Sequence, residues 1–137
     1  MKRLFKLLSG LILLSVSGCD ISNIDNPPPG EVYEWIKPGA DFTEVGKALL
    51  ECGLPHLNYL EDEVQKLSNN DNATIDACMV QSGFRYKDKW AGTWCENYKA
   101  ENLPICRPGA VIPKRSVEKR LNSPFCKRYK NSRKCQP

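Results

Sequence analysis

From position 41 onward, apolar residues recur at helical spacing. Phe42, Val45, Leu49 and Cys52 fall on one helix face, Asp41 with Glu44 has the spacing of a capping box, and Gly53 with Pro55 supplies a stop. Leu57, Leu60, Val64 and Leu67 repeat that spacing and predict a second helix across Pro55 to Leu67. The polar run Asn69-Asn70-Asp71-Asn72 predicts a turn ending in an N-cap, after which Ile75, Cys78 and Met79 line a third helix closed by Gly83. The period then changes. Phe84-Arg85-Tyr86-Lys87 alternates apolar and basic positions, the pattern of a short half-buried strand. Cys95 to Tyr98 predicts a short helix, and Val117 to Leu121 a short helical turn. Between them, Pro104, Pro108, Gly109 and Pro113 break the chain into a loop held by Cys106. The expected fold class is mainly α: a small disulfide-stabilised domain with a short β or irregular C-terminal part.

The N-terminal pattern is of another kind. Lys2, Arg3 and Lys6 precede an apolar run of ten residues, Leu7 to Val16. A helix that spans a bilayer needs about 20 apolar residues, so this run suits a removable secretory signal and not a permanent span. Ile21 to Gly30 is polar and carries Pro27-Pro28-Pro29, which favours an extended polyproline conformation and predicts a tether.

The junction of the two segments, Val16-Ser17-Gly18-Cys19, resembles the lipobox of bacterial lipoproteins: a branched apolar residue, two small residues, then cysteine. The resemblance implies cleavage before Cys19, a diacylglycerol on its sulfur and acylation of the new amino group, which together suffice for stable anchoring where one chain does not. It further implies a bacterial cell membrane location with the domain facing the periplasm. Asp20 resembles the inner-membrane retention signal of enteric lipoproteins, a rule that does not extend to all bacteria, so inner or outer membrane is left open. Three fragments, Trp35-Ile36-Lys37-Pro38-Gly39, Ala48-Leu49-Leu50-Glu51-Cys52 and Cys78-Met79 with Gly83-Phe84, resemble short patterns in small cysteine-containing lipoproteins of Gram-negative bacteria. That likeness implies a shared helical cysteine scaffold and no activity.

Cysteine count agrees with the lipobox. The chain has seven cysteines, and an odd number in an exported protein needs a reason. Lipidation of Cys19 leaves Cys52, Cys78, Cys95, Cys106, Cys126 and Cys135 for up to three disulfides in an oxidising compartment. Cys52 and Cys78 both lie on predicted apolar helix faces and form the first expected pair. Cys95–Cys106 and Cys126–Cys135 give the simplest remaining connectivity, with cross-pairing such as Cys95–Cys126 open.

These signals divide the chain into residues 1–18 (signal peptide), 19–30 (lipidated cysteine and tether), 31–84 (acidic helical half) and 85–137 (basic half of the same domain). The charge division is steep. Residues 20–84 hold 3 Lys/Arg against 12 Asp/Glu, residues 85–137 hold 14 against 4, and the whole chain carries +4. Either the halves neutralise one another by packing, or the basic half presents an interaction surface. Lys127, Arg128, Arg133 and Lys134, enclosed by Cys126 and Cys135, are the expected anionic-surface residues. Phe84, Tyr86, Trp90, Trp94 and Tyr129, interleaved with cations, are better placed to fill a small core than to stack on bases, so nucleic acid is not an expected partner.

Signals for chemistry are sparse. His56 is the single histidine, next to a proline, and no serine or cysteine is tied to it by a motif. No CxxC pair, Walker loop or dinucleotide loop occurs, and Glu61-Asp62-Glu63 reads as a solvated helix face. No catalytic residue, metal ligand or cofactor is expected. The functional expectation is a membrane-anchored envelope lipoprotein, a non-catalytic structural or interaction module with the membrane and an envelope protein or anionic surface as partners. The alternative is an envelope-facing inhibitor, immunity or phage-exclusion factor.

Overall fold

Two helices joined by a disulfide organise the molecule. The computed structural model describes residues 30–58 and 61–137, so the expected signal, Cys19, most of the expected tether and the predicted helix-face residue Leu60 lie outside the described residues. A 3-10 turn at Glu31–Tyr33 leads into strand β1 (Trp35–Ile36), followed by helices α1 (Phe42–Glu51), α2 (Asp62–Gln65) and α3 (Asn69–Gln81). Strand β2 (Arg85–Tyr86) follows, then helices α4 (Trp94–Asn97), α5 (Val117–Leu121) and α6 (Pro124–Arg128). Further 3-10 turns occupy Lys99–Glu101, Pro104–Cys106 and Arg133–Cys135. The fold is a mainly α, disulfide-stabilised small domain with one two-stranded antiparallel ribbon, in which Trp35 faces Tyr86 and Ile36 faces Arg85.

Helix α1 forms where its capping and periodicity placed it. Asp41 is the N-cap and accepts the Glu44 N–H at 2.9 Å, which satisfies one donor of the first turn. The reciprocal half of the box is replaced: the Glu44 carboxylate turns to Arg115 instead. Val45, Ala48, Leu49, Leu50 and Cys52 are buried, while Phe42 is 55 % exposed and rests its ring on Tyr33 at 4.8 Å between centroids. At the C-terminus Gly53 takes φ +106°, a left-handed conformation that costs glycine little.

The predicted second helix is shorter than its periodicity suggests. Among its described residues only Asp62–Gln65 is helical, and residues 54–58 run as irregular chain with Leu54, His56 and Leu57 buried. Tertiary hydrogen bonding competes with helix here. The Pro55 carbonyl accepts the Phe125 N–H at 3.1 Å, so α6 takes an acceptor that a helix would use internally. Gly30 lies so close beneath the Leu57 carbonyl that no side chain fits between them.

The run Asn69–Asn72 is likewise helix and not turn. The N-cap is Ser68, whose hydroxyl accepts the Asp71 N–H at 3.0 Å while Asp71 accepts the Ser68 N–H at 3.1 Å, a complete capping box with aspartate in the third position. The asparagines serve as anchors. Asn70 Oδ1 accepts the Ile105 N–H at 3.0 Å, and Asn69 Nδ2 donates to Glu101 at 3.0 Å, so the first turn of α3 holds the 99–106 segment.

Three disulfides tie these parts. Cys52–Cys78 joins α1 to α3, Cys95–Cys106 closes the α4 segment and Cys126–Cys135 closes the C-terminal loop, with Cα separations of 5.6, 5.4 and 5.4 Å. The first is wholly buried and belongs to one core with Trp35, Leu49, Leu50, Met79 and Phe84. Helix α1 packs on α5 and on the Glu31–Tyr33 and Arg133–Cys135 turns, whereas α3 packs on α4 and on Pro104–Cys106. In a domain of this size cross-links supply stability that a limited core cannot.

Candidate functional site

The basic half supplies four arginine contacts that cross to the acidic half. Arg115 reaches Glu51 at 2.6 Å and Glu44 at 2.9 Å, Arg120 reaches Glu51 at 2.9 Å, and Arg128 stands 3.4 Å from Glu61. Arg120 is buried, and its second nitrogen donates to the Lys134 and Gln136 carbonyls at 2.9 and 2.6 Å. Burial pushes the Arg115 guanidinium down, but its hydrogen bonds to Glu51 and Glu44 outweigh this and hold it above its ordinary value. Part of the charge division is thus consumed internally.

The expected anionic-surface residues meet different fates. Lys127 and Arg133 are exposed, as is the neighbouring Lys130. Arg128 is also exposed, though shared between Glu61 and the ring of Tyr129, 5.3 Å from its centroid. Lys134 is half-buried, its stem lying over Gly46 of α1. The Cys126–Cys135 bridge therefore gathers four exposed cations, Lys127, Arg128, Lys130 and Arg133, with Lys134 turned inward as packing. The aromatic residues also divide: Phe84 is buried and Tyr86 and Trp94 are half-buried, whereas Trp90 is 91 % exposed and Tyr129 44 %.

His56 is more deeply placed than its loop position suggests. Its ring is 5 % exposed, meets Phe125 edge-on at 6.4 Å, and sets Nε2 3.5 Å from the Glu63 carboxylate. With Glu61 it completes a trio whose donor atoms all lie within 4.8 Å, residues of the types that hold a divalent metal. The proximity of Arg128 to Glu61 puts a competing positive charge beside that trio. No motif spacing announces this cluster. It arises because the chain bends between Leu54 and Asn58 and does not continue as a helix.

Two hollows open among the described residues. One, of about 470 Å³, lies beside the buried disulfide and is lined by Leu50, Leu54, Leu67, Ile75 and Lys119 among others. The other, of about 330 Å³, opens between the ribbon and α4, where Glu31, Glu34 and Asp88 face Tyr86, Trp94 and Tyr98. Trp94 and Tyr98 stack one helical turn apart, at 4.7 Å and 10° between planes, and Trp35 stacks under Tyr86 at 4.1 Å. Behind this wall lies Asp76 of α3, 3 % exposed. Its Oδ2 accepts the Trp94 N–H at 3.3 Å, and its Oδ1 has no hydrogen-bond partner among the described residues. Burial raises the Asp76 carboxyl above its usual range, against smaller downward effects of the nearby Tyr86 hydroxyl and the Trp94 N–H. Burial and the Asp76 charge together push the Tyr86 phenol well above its own.

None of the acids in this second hollow was singled out by the sequence, because Asp88 lies more than fifty positions from Glu31 and Glu34 and strand pairing brings it to them. Comparison with family models, with curated proteins and with solved structures finds no match.

Proposed function

We propose that this chain is a lipid-anchored protein of the bacterial envelope, held at the membrane through Cys19 and acting as a non-catalytic interaction module. One observation carries the reading. Six of the seven cysteines are used up in three disulfides within the domain, which leaves Cys19, in its lipobox setting, as the one without a partner cysteine. Disulfides of this density belong to oxidising compartments, and a lipobox cysteine is the one such a protein keeps apart from them. Metabolic labelling with a palmitate analogue tests it: wild type takes up label, and Cys19→Ala abolishes it and leaves an uncleaved precursor. Labelling that survives Cys19→Ala overturns the proposal.

The partner surface we assign to the anchored domain is the cationic loop. Lys127, Arg128 and Arg133 with Lys130 stand outward around one short disulfide, and each cation engaged at an anionic membrane contributes about 1 kcal/mol within a Debye length. Vesicles containing anionic phospholipid should retain the unlipidated domain at low salt and release it at high salt. Neutralising Lys127, Arg128, Lys130 and Arg133 together should remove this binding. A domain that ignores such vesicles at low salt refutes the surface assignment and leaves the lipid anchor untouched.

A further inference from the structure

The hollow between the ribbon and α4 contrasts in composition with the basic half of the chain. Glu31, Glu34 and Asp88 line it with the rings of Tyr86, Trp94 and Tyr98, and no lysine or arginine is among its lining residues. Arg85, Lys87 and Lys89 neighbour it in sequence, yet Glu34 and Asp88 form no ion pair with them among the described residues. A further carboxylate, Asp76, stands behind the wall with one oxygen unpartnered, joined to the lining through the Trp94 N–H. Carboxyl groups are therefore gathered around aromatic rings, in a hollow of about 330 Å³, within the size range of small-ligand sites.

From this arrangement we propose that the hollow is a binding site for an organic ammonium group, such as the head of an alkylamine or of a lysine side chain. The electron-rich faces of Trp94 and Tyr98 attract a cation within about 6 Å of the ring, an attraction that grows as water is excluded. The surrounding carboxylates supply the counter-charge and the acceptors for the N–H groups. A compact metal ion fits less well. Calcium and magnesium draw oxygen ligands to about 2.0–2.6 Å, so donors must converge, and among the described residues only His56, Glu61 and Glu63 bring three such donors within 4.8 Å. The carboxylates of this hollow are spread more widely, which suits a larger and more diffuse charge. The site is independent of the anchor and of the cationic loop, so it stands or falls separately from them.

Two probes test the site on the purified chain: spermidine, and lysine blocked at both its amino and carboxyl ends. Binding is followed by tryptophan fluorescence and titration calorimetry at low ionic strength. At least one probe should bind saturably and lose affinity as salt is raised. The paired variant Glu34→Gln/Asp88→Asn, both at exposed positions, should weaken that binding by about tenfold, since it removes two of the facing charges. Tyr98→Leu should weaken it independently, and Lys127→Gln/Arg133→Gln should leave it unchanged or tighten it. Near-ultraviolet circular dichroism and a thiol count establish that each variant is folded. Spermidine bound without the blocked lysine assigns a free amine, and the blocked lysine bound as well assigns a lysine of a partner. Absence of saturable binding of both probes below about 10 mM, or binding that Glu34→Gln/Asp88→Asn leaves intact, overturns the proposal.

Discussion

Replacing Glu51 by glutamine tests the junction between the two halves of the domain. Glu51 is 7 % exposed at its side chain and receives Arg120, 3 % exposed, at 2.9 Å and Arg115 at 2.6 Å. Glutamine keeps the shape but supplies one acceptor and no charge, so the Arg120 guanidinium stays buried without a counter-charge, with only neutral acceptors, the Lys134 and Gln136 carbonyls and at most one glutamine oxygen. Removing one partner from a buried ion pair costs about 3–5 kcal/mol, because the other charge remains without compensation. The Arg115 contact adds little. Arg115 is a quarter exposed and keeps Glu44, so its share is at most about 1 kcal/mol. At about 4 °C per kcal/mol for a domain of this size, the melting temperature should fall by about 12 °C or more. The assay is thermal and urea unfolding with disulfides intact, repeated for Arg120→Met and for the double variant. Because Arg120→Met removes the guanidinium that Glu51→Gln leaves buried without a counter-charge, the double variant should be more stable than Glu51→Gln alone. A Glu51→Gln domain within about 0.5 kcal/mol of the parent, or a double variant as unstable as the summed singles, refutes the reasoning.

Asp76→Asn should stabilise the domain near neutral pH by on the order of 1 kcal/mol, since it keeps an acceptor for the Trp94 N–H and removes a buried charge. The sign follows from the raised carboxyl: the folded chain binds this proton more tightly than the unfolded one. The contribution of Asp76 is complete below the unfolded value of about 3.9 and lost as pH rises through the folded value, so the advantage of asparagine should vanish in denaturant titrations near pH 3. Cys52→Ala/Cys78→Ala should cost about 3–4 kcal/mol in urea unfolding, from the loop entropy of a bridge spanning 26 positions. Gly30→Ala should destabilise by about 1–3 kcal/mol in the same assay, because a Cβ there collides with the Leu57 carbonyl, a backbone atom that cannot swing aside.

Local signals along the chain determine much of this molecule without any tertiary contact. Asp41, the apolar period and Gly53 set the limits of α1, and Val117 to Leu121 became α5 as its pattern required. The alternation at Phe84 to Lys87 became β2, and two cysteines on apolar helix faces met as the Cys52–Cys78 bridge. Capping, helical period and left-handed glycine are properties of neighbours in the chain, so a reading of neighbours finds them. Tertiary structure decided the rest. It unmade the helix expected over Pro55 to Leu67 by drawing the Pro55 carbonyl to Phe125 and burying Leu54 beside His56. It gave β2 its partner, Trp35–Ile36, fifty positions upstream. It also sorted the cations, sending Arg115 and Arg120 inward to Glu51 while Lys127, Lys130 and Arg133 stayed in solvent. Composition counts these charges equally, but their energies depend on the distance and burial of groups far apart in sequence, which only the folded chain brings together.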